Sequence, residues 1–231
     1  MEAGHQSYEL IRELSRKLDS MANTDRISEL PAILAFQSLV DATVATEAIV
    51  QKLFDRLSGN DDELVLFDVN HLSVLKNFMK PKYDRADLLA SIEKRGSLPY
   101  KLTVITNEQD ESPQVVARIR LAGEFGGTSR RLGLEWPLQV YSLAHVAIPF
   151  PSTDPVYGIV ENPGEAEHIA IGMLHPRGER SVINTPPSLM LRLRYNPFFS
   201  YVEKRIVAKV APCIDALGRY RWLGTRCPLA P

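Results

Sequence analysis

Two short apolar runs with a helical pattern between them constrain the fold most. Residues 32–38, AILAFQS, follow Pro31, and residues 64–69, LVLFDV, form a second run; neither shows a regular polar alternation. Such runs favour strands that are buried on both faces, as in a parallel sheet. From Thr46 to Leu57 apolar residues recur at helical spacing. A strand, a helix and a strand in so short a stretch predict a right-handed βαβ unit and an α/β fold.

The rest of the chain adds elements on the same principles. We expect helices over 7–21, 71–79, 84–95 and 188–194 and after Asn196-Pro197, and strands over 100–106 and 140–148. Residues 115–121 fit either a helix or a strand, and the glycine-rich residues 123–133 are typical of a loop. Because there is no repeat and no low-complexity linker, a single domain over residues 1–231 is the simplest organisation.

Composition and charge exclude several classes of function. The 27 basic and 28 acidic residues give a net charge of −1, so no overall field favours nucleic acid or an anionic membrane. No apolar run approaches the roughly 18 residues of a membrane-spanning helix, and the charged N-terminus is unlike a secretory signal. The two cysteines, Cys213 and Cys227, are too few for a disulfide scaffold or a cysteine-rich zinc site. They could pair or stay as thiols, and a reducing, cytoplasmic compartment is the simpler expectation.

Three polar residues lie where working residues of an α/β sheet are expected. Asp41 follows the first predicted strand in SLVDATV, and His71 follows the second. His145 lies within the predicted strand 140–148 or at its end. Carboxyl ends of parallel strands are where open α/β sheets bind ligands, so Asp41 could pair with either histidine across this edge. Asp41 could equally cap the following helix, and either histidine could be structural.

Other candidate sites are weaker. His5, His168 and His175 come without HExxH or a carboxylate cluster, so we expect no metal site. The string GEFGG lacks the spacing of a dinucleotide fingerprint, and no P-loop lysine is present, so we expect no cofactor. No G-x-S-x-G pentapeptide supplies a nucleophile elbow. Four arginines are expected to form a solvated face, or alternatively an anion-binding rim: Arg118, Arg120, Arg130 and Arg131.

Four segments together resemble the C-terminal part of a bacterial branch of the α/β-hydrolase family, serine hydrolases of lysophospholipase or esterase type. They are PAILAFQSLVDATV, ELVLFDVN, YSLAHVAIPFPSTDPVYG and LRLRYNPFF, and the resemblance extends from about Tyr8 to about Ile206. It implies a mostly parallel sheet flanked by helices. Because the triad of that family runs Ser, Asp, His along the chain, it implies Asp41 as the acid and His145 as the base. His71 is the alternative histidine, and the segment between the two would be an insertion.

The same resemblance implies hydrolysis of a carboxylic ester or a lysophospholipid, without a cofactor or a metal. The nucleophile and the first oxyanion-hole loop belong to the N-terminal half of such enzymes, which leads us to expect a fragment. The strand 32–38 would then lack a parallel neighbour and leave an open edge. A partner chain could supply the missing half. The alternative is a non-catalytic binding or interaction module derived from a hydrolase half.

Overall fold

A five-stranded mixed sheet forms the centre of the computed structural model. The structure describes residues 2–24, 26–57, 61–72, 80, 87–158, 177–179, 182 and 191–211. The strands follow the chain in order: β1 (Leu34–Ser38), β2 (Glu63–Phe67), β3 (Lys101–Asn107), β4 (Gln114–Arg120) and β5 (Thr128–Glu135). β1, β2 and β3 are parallel, whereas β4 and β5 continue the sheet as an antiparallel meander. A separate two-residue parallel pair joins β6 (Arg177–Gly178) to β7 (Leu191–Arg192).

Helices cover both faces of the sheet. They are α1 (Glu2–Asn23), α2 (Thr46–Lys52), α3 (Asp87–Glu93) and α4 (Phe199–Val210), and 3₁₀ turns occupy Arg26–Glu29, Phe54–Arg56 and His145–Ala147. Within the described part of the chain, no helix combines the length and the hydrophobicity that crossing a membrane requires.

Alternate residues of the central strands enter two separate cores. Val65 and Phe67 of β2 pack in one cluster with Tyr201 and Val202 of α4, and Leu64 and Leu66 pack in a second cluster on the other face. All five residues of β2 are buried, which explains why its apolar residues, Leu64 to Phe67, follow one another without alternation. The prediction of an α/β sheet flanked by helices is confirmed in this form, with a mixed sheet.

β1 lies at the edge of the sheet, as the sequence led us to expect. The N–H of Glu63 donates to the carbonyl of Ile33, and the N–H of Leu39 donates to the carbonyl of Phe67. In this parallel ladder the backbone N–H and C=O groups of the odd-numbered residues of β1 point toward β2. Those of Leu34 and Phe36 therefore point outward, away from the sheet.

The predicted strand over 140–148 is wrong. Val140 makes an isolated bridge to Arg177, residues 141–144 have no regular secondary structure, and His145 begins the 3₁₀ helix. The apolar character of this segment reflects burial and not strand pairing, because Tyr141 and Leu143 are fully buried without a ladder.

Other sequence predictions have mixed outcomes. The segment 115–121 is strand β4, the second half of the predicted loop 123–133 belongs to β5, and Leu191–Arg192 form β7 where a helix was predicted. Helices are confirmed near residues 7–21 and 84–95 and after Asn196-Pro197, with the bounds of α1, α3 and α4. His71 itself is not helical. Residues 73–79 and 188–190 lie outside the described residues, as do Cys213, Cys227, His168 and His175.

Candidate functional site

Asp41 shapes the loop that follows β1. Its Oδ1 accepts the backbone N–H groups of Thr43 at 2.7 Å and Val44 at 3.0 Å. Its Oδ2 accepts the side-chain amide of Gln37 at 3.2 Å. This turn, in which a side-chain carboxylate accepts backbone N–H groups two and three residues ahead, holds the loop rigidly. The carboxylate is 3% exposed, so its charge lies beneath the surface.

His145 lies against this loop, although it is distant in the sequence. The hydroxyl of Ser38, the last residue of β1, donates to the carbonyl of Leu143 at 2.8 Å and fixes the segment over the carboxyl end of the strand. The Nδ1 atom of His145 is then 3.6 Å from Asp41 Oδ1. Thr43 Oγ1 lies 3.2 Å from Nε2 and 3.3 Å from Nδ1. The imidazole is 25% exposed, so it is accessible on one side.

A third titratable residue, Glu179, completes the cluster and was missed by the sequence analysis. Its Oε2 lies 3.2 Å from Nδ1 of His145, and its side chain is 1% exposed. It occurs in RGER, a charged string that is typical of a solvent-exposed turn. The short pairing of β6 with the segment around Val140 helps to bring it inside, and no spacing in the sequence indicates that pairing.

Tyr141 fixes Glu179 from the adjacent segment. Its hydroxyl donates to the Glu179 carbonyl at 2.6 Å, and Ser142 Oγ accepts the Glu179 N–H at 3.0 Å. Burial, and secondarily the charge of Glu179, raises the pKa of Tyr141 far above its usual value. The hydroxyl therefore stays protonated and remains a donor at neutral pH.

His71 belongs to a different pair. Its Nε2 lies 2.8 Å from Asp68 Oδ2, which also accepts the hydroxyl of Thr106 at 2.8 Å. Its backbone N–H donates to Asn107 Oδ1 at 2.9 Å. The structure thus gives each candidate histidine its own buried carboxylate, and it brings His145 rather than His71 into contact with Asp41.

The two pairs lie at the same edge of the sheet, at the carboxyl ends of β1 and β2. An apolar cluster that includes Val40, from the loop after β1, and Val69 and Leu72, from the loop after β2, packs the two loops together with Tyr141 and Val182. This edge is where a parallel sheet concentrates its polar working residues.

A cation could in principle be held by the first cluster. Suitable ligand atoms of Asp41, His145 and Glu179 all lie within 4.8 Å of one another. However, Asp41 Oδ1 already accepts two backbone hydrogen bonds, which reduces its capacity as a ligand. The contacts therefore fit an imidazole that takes part in acid–base chemistry better than they fit a metal ligand.

The four arginines of the sequence analysis have different partners, although Arg118 and Arg120 line the same cavity. Arg120 is buried and donates to the carbonyls of Ile92, Glu93 and Arg95 at the end of α3, so it caps that helix and is not a solvated residue. Arg131 pairs with Glu108. Arg118 lines a cavity of about 260 Å³ beside Phe125. Arg130 is exposed.

Comparison with known proteins finds no family model, no curated protein and no solved structure that matches this chain.

Proposed function

We propose that this chain carries the acid–base half of a serine-hydrolase site for carboxylic esters, including lysophospholipid-type acyl esters. The observation that carries the proposal is the contact of the partly exposed His145 imidazole with the buried Asp41 carboxylate, Nδ1 to Oδ1 3.6 Å, at the carboxyl edge of the sheet. The resemblance of the YSLAHVAIPFPSTDPVYG segment to bacterial α/β-hydrolases supports the ester substrate class.

The roles follow from the charges. A serine hydroxyl is a weak nucleophile at neutral pH, and an adjacent imidazole activates it by taking its proton as the hydroxyl attacks the ester carbonyl. The imidazolium that forms at His145 is stabilised by a nearby fixed negative charge. Asp41 supplies that charge, since three donors hold its carboxylate in place.

The nucleophile has to come from elsewhere, because the sequence contains no G-x-S-x-G. Losing a member of such a triad forfeits on the order of 10⁴ to 10⁶ in rate. We therefore expect the isolated chain to have almost no esterase activity of its own, and we propose that another polypeptide delivers the serine to His145.

The test supplies a nucleophile as a small molecule. Trifluoroethanol is added as acyl acceptor, with p-nitrophenyl acetate as the ester and p-nitrophenol release as the readout. We expect a trifluoroethanol-dependent rate above the buffer rate, because the imidazole acts as general base. The variant His145→Gln should fall to the buffer rate.

The matched control is His71→Gln, which removes the other imidazole of this edge. It should keep the rate of the unchanged chain. A rate that disappears with His71→Gln and survives in His145→Gln would transfer the role to His71. Equal rates in all three proteins would overturn the proposal.

Labelling with a fluorophosphonate probe tests the missing nucleophile separately. The isolated chain should remain unlabelled, because no serine occupies an activated elbow. Stoichiometric labelling of one serine, abolished by His145→Gln, would contradict the proposed division between two polypeptides while leaving hydrolysis in place.

A second candidate function is an interaction module, and the open edge of β1 favours it. Among the described residues, no backbone partner meets the outward N–H and C=O groups of Leu34 and Phe36. Apolar side chains of α1 are also exposed, including Ile11 at 62% and Leu14 at 51%. Only an extended polypeptide satisfies a row of strand groups, so the occupant would be an added β-strand.

Leu34→Pro tests this edge. Proline at the first position of a strand removes the outward N–H and keeps the inward ladder with β2. Without a partner, the open edge should make the unchanged chain self-associate as its concentration rises, and Leu34→Pro should remain monomeric by sedimentation. Self-association that is equally strong in Leu34→Pro would remove the edge of β1 as the interaction surface.

A further inference from the structure

The carboxylate nearest to His145 is not the one that the sequence predicts. Nδ1 of His145 lies 3.2 Å from Glu179 Oε2 and 3.6 Å from Asp41 Oδ1. A hydrogen bond between N–H and oxygen is about 2.7 to 3.2 Å long. Only the contact with Glu179 falls within this range.

The hydrogen bonds of Asp41 lead to the same assignment. Its Oδ1, the atom that faces the ring, already accepts the N–H groups of Thr43 and Val44. Its Oδ2 accepts the amide of Gln37. Asp41 thus uses its hydrogen bonds to hold the loop, and it acts on His145 through its charge.

Glu179, in contrast, is fixed by hydrogen bonds to its backbone, and its Oε2 atom points at the ring. Its own peptide groups are bonded to Tyr141 and Ser142. The preceding residue has to be glycine, because a Cβ at Gly178 would lie 2.6 Å from two ring carbons of Tyr141. The second carboxylate oxygen of Glu179 lies 3.9 Å from Nη2 of Arg192.

We propose that Glu179 is the positioning residue of His145. Its Oε2 accepts a hydrogen bond from the N–H at Nδ1. The single N–H proton of the neutral ring therefore stays on Nδ1, and Nε2 remains unprotonated. When Nε2 takes the proton of a nucleophile, the ring becomes imidazolium and Glu179 stays ionised beside it, so no proton passes to the carboxylate. The catalytic meaning of this arrangement rests on the proposed function, but the tautomer itself does not.

Nitrogen NMR of the chain with ¹⁵N-labelled histidine tests the tautomer, at a pH where the ring is neutral. The His145 signals are assigned by their disappearance in His145→Gln. We expect the Nδ1–H form to predominate in the unchanged chain. In Glu179→Gln the side-chain amide can turn its NH₂ group toward Nδ1, as an amide does when it replaces a triad carboxylate, and the Nε2–H form should predominate.

Glu179→Ala gives a second, independent reading. It removes the acceptor without adding a donor, so the preference for Nδ1–H should be lost. Folding of both variants is checked by thermal unfolding. An unchanged tautomer in two folded variants would overturn the proposal, and so would a reversal in Asp41→Asn with none in Glu179→Gln.

Asp68→Asn is the matched control, because it alters the equivalent carboxylate of the neighbouring pair. It should change the signals of His71 and leave those of His145 in place.

The outcomes separate the two proposals. If the tautomer depends on Glu179 but His145→Gln keeps the full acyl-transfer rate, the proposed function fails and the positioning role stands. If the rate depends on His145 but the tautomer is independent of Glu179, the positioning role fails alone.

Discussion

Two buried tyrosines differ in a single hydrogen bond. Tyr100 and Tyr141 are both fully buried. The hydroxyl of Tyr141 donates to the Glu179 carbonyl at 2.6 Å, whereas that of Tyr100 has no hydrogen-bond partner among the described residues. Burying a hydroxyl costs free energy unless a partner replaces water, so the two residues should respond oppositely to loss of the hydroxyl.

Substitution by phenylalanine tests this difference. Tyr100→Phe should raise the free energy of unfolding by about 1 kcal/mol, because it removes an unpaired polar atom. Tyr141→Phe should lower it by about 1 kcal/mol, because it removes the hydrogen bond from the hydroxyl to the Glu179 carbonyl. Urea denaturation measures both, and changes of the same sign would contradict the assignment of partners.

Alkaline pH should destabilise the protein through the same residues. Burial raises the pKa of Tyr100 from 10.0 to about 12. The unfolded tyrosine therefore loses its proton first, and its contribution to stability is full below pH 10 and is lost as the pH rises toward 12. Urea denaturation on both sides of this window should show the loss, and Tyr100→Phe should make it smaller. An equal loss in the variant would assign the effect to other groups.

At the scale of elements, α4 is attached to the sheet by aromatic packing at its first turn. Phe198, which precedes the helix, is fully buried. Its ring centroid lies 6.1 Å from that of Phe67 in β2, in a stacked arrangement, and 4.7 Å from that of Trp136, edge-on. Phe198 therefore joins the start of the helix to β2, in the same apolar cluster as Tyr201 and Val202.

Phe198→Ala should lower the free energy of unfolding by about 3 to 5 kcal/mol, the cost of a large cavity in a packed core. The fluorescence of Trp136 should change, since the substitution removes its neighbour. Val207→Ala is the control on the exposed side of the same helix, where the side chain is 56% exposed. It should change stability by less than about 0.5 kcal/mol. Similar losses in the two variants would contradict this packing.

The elements also show what the sequence could predict. β1, β2 and β3 were predictable because each lies in a short, largely apolar run without regular polar alternation, as strands of a parallel sheet do. The same rule failed over residues 140–148, where an equally apolar segment is buried as turns and a 3₁₀ helix with its peptide groups bonded to Asn70 and Arg177. An apolar run predicts that a segment is buried. Whether it also forms a strand depends on which other strand lies beside it, and that strand can be far away in the sequence.

The site was half predictable for a related reason. Asp41 was a candidate because it follows an apolar run, and the resemblance favoured His145 over His71 as its partner; the structure places the two side chains 3.6 Å apart. Glu179 could not be found, because its burial depends on the glycine before it and on Tyr141, which lies 38 positions earlier in the chain.

At the scale of the whole molecule, three separate segments converge on one imidazole. The loop after β1, the turn that begins at His145 and the end of β6 meet at the carboxyl edge of the sheet. We expect the side chains of His145 and of its neighbouring carboxylates to stabilise one another in the folded chain.

A double-mutant cycle between Glu179 and His145 tests this claim most directly. Unfolding free energies are measured for the unchanged chain, Glu179→Gln, His145→Gln and the double variant. We expect a coupling of about 1 to 3 kcal/mol, as for hydrogen bonds to charged groups. The parallel cycle between Asp68 and His145, which share no contact, should be additive within about 0.5 kcal/mol. Additivity in the Glu179–His145 cycle would contradict the account.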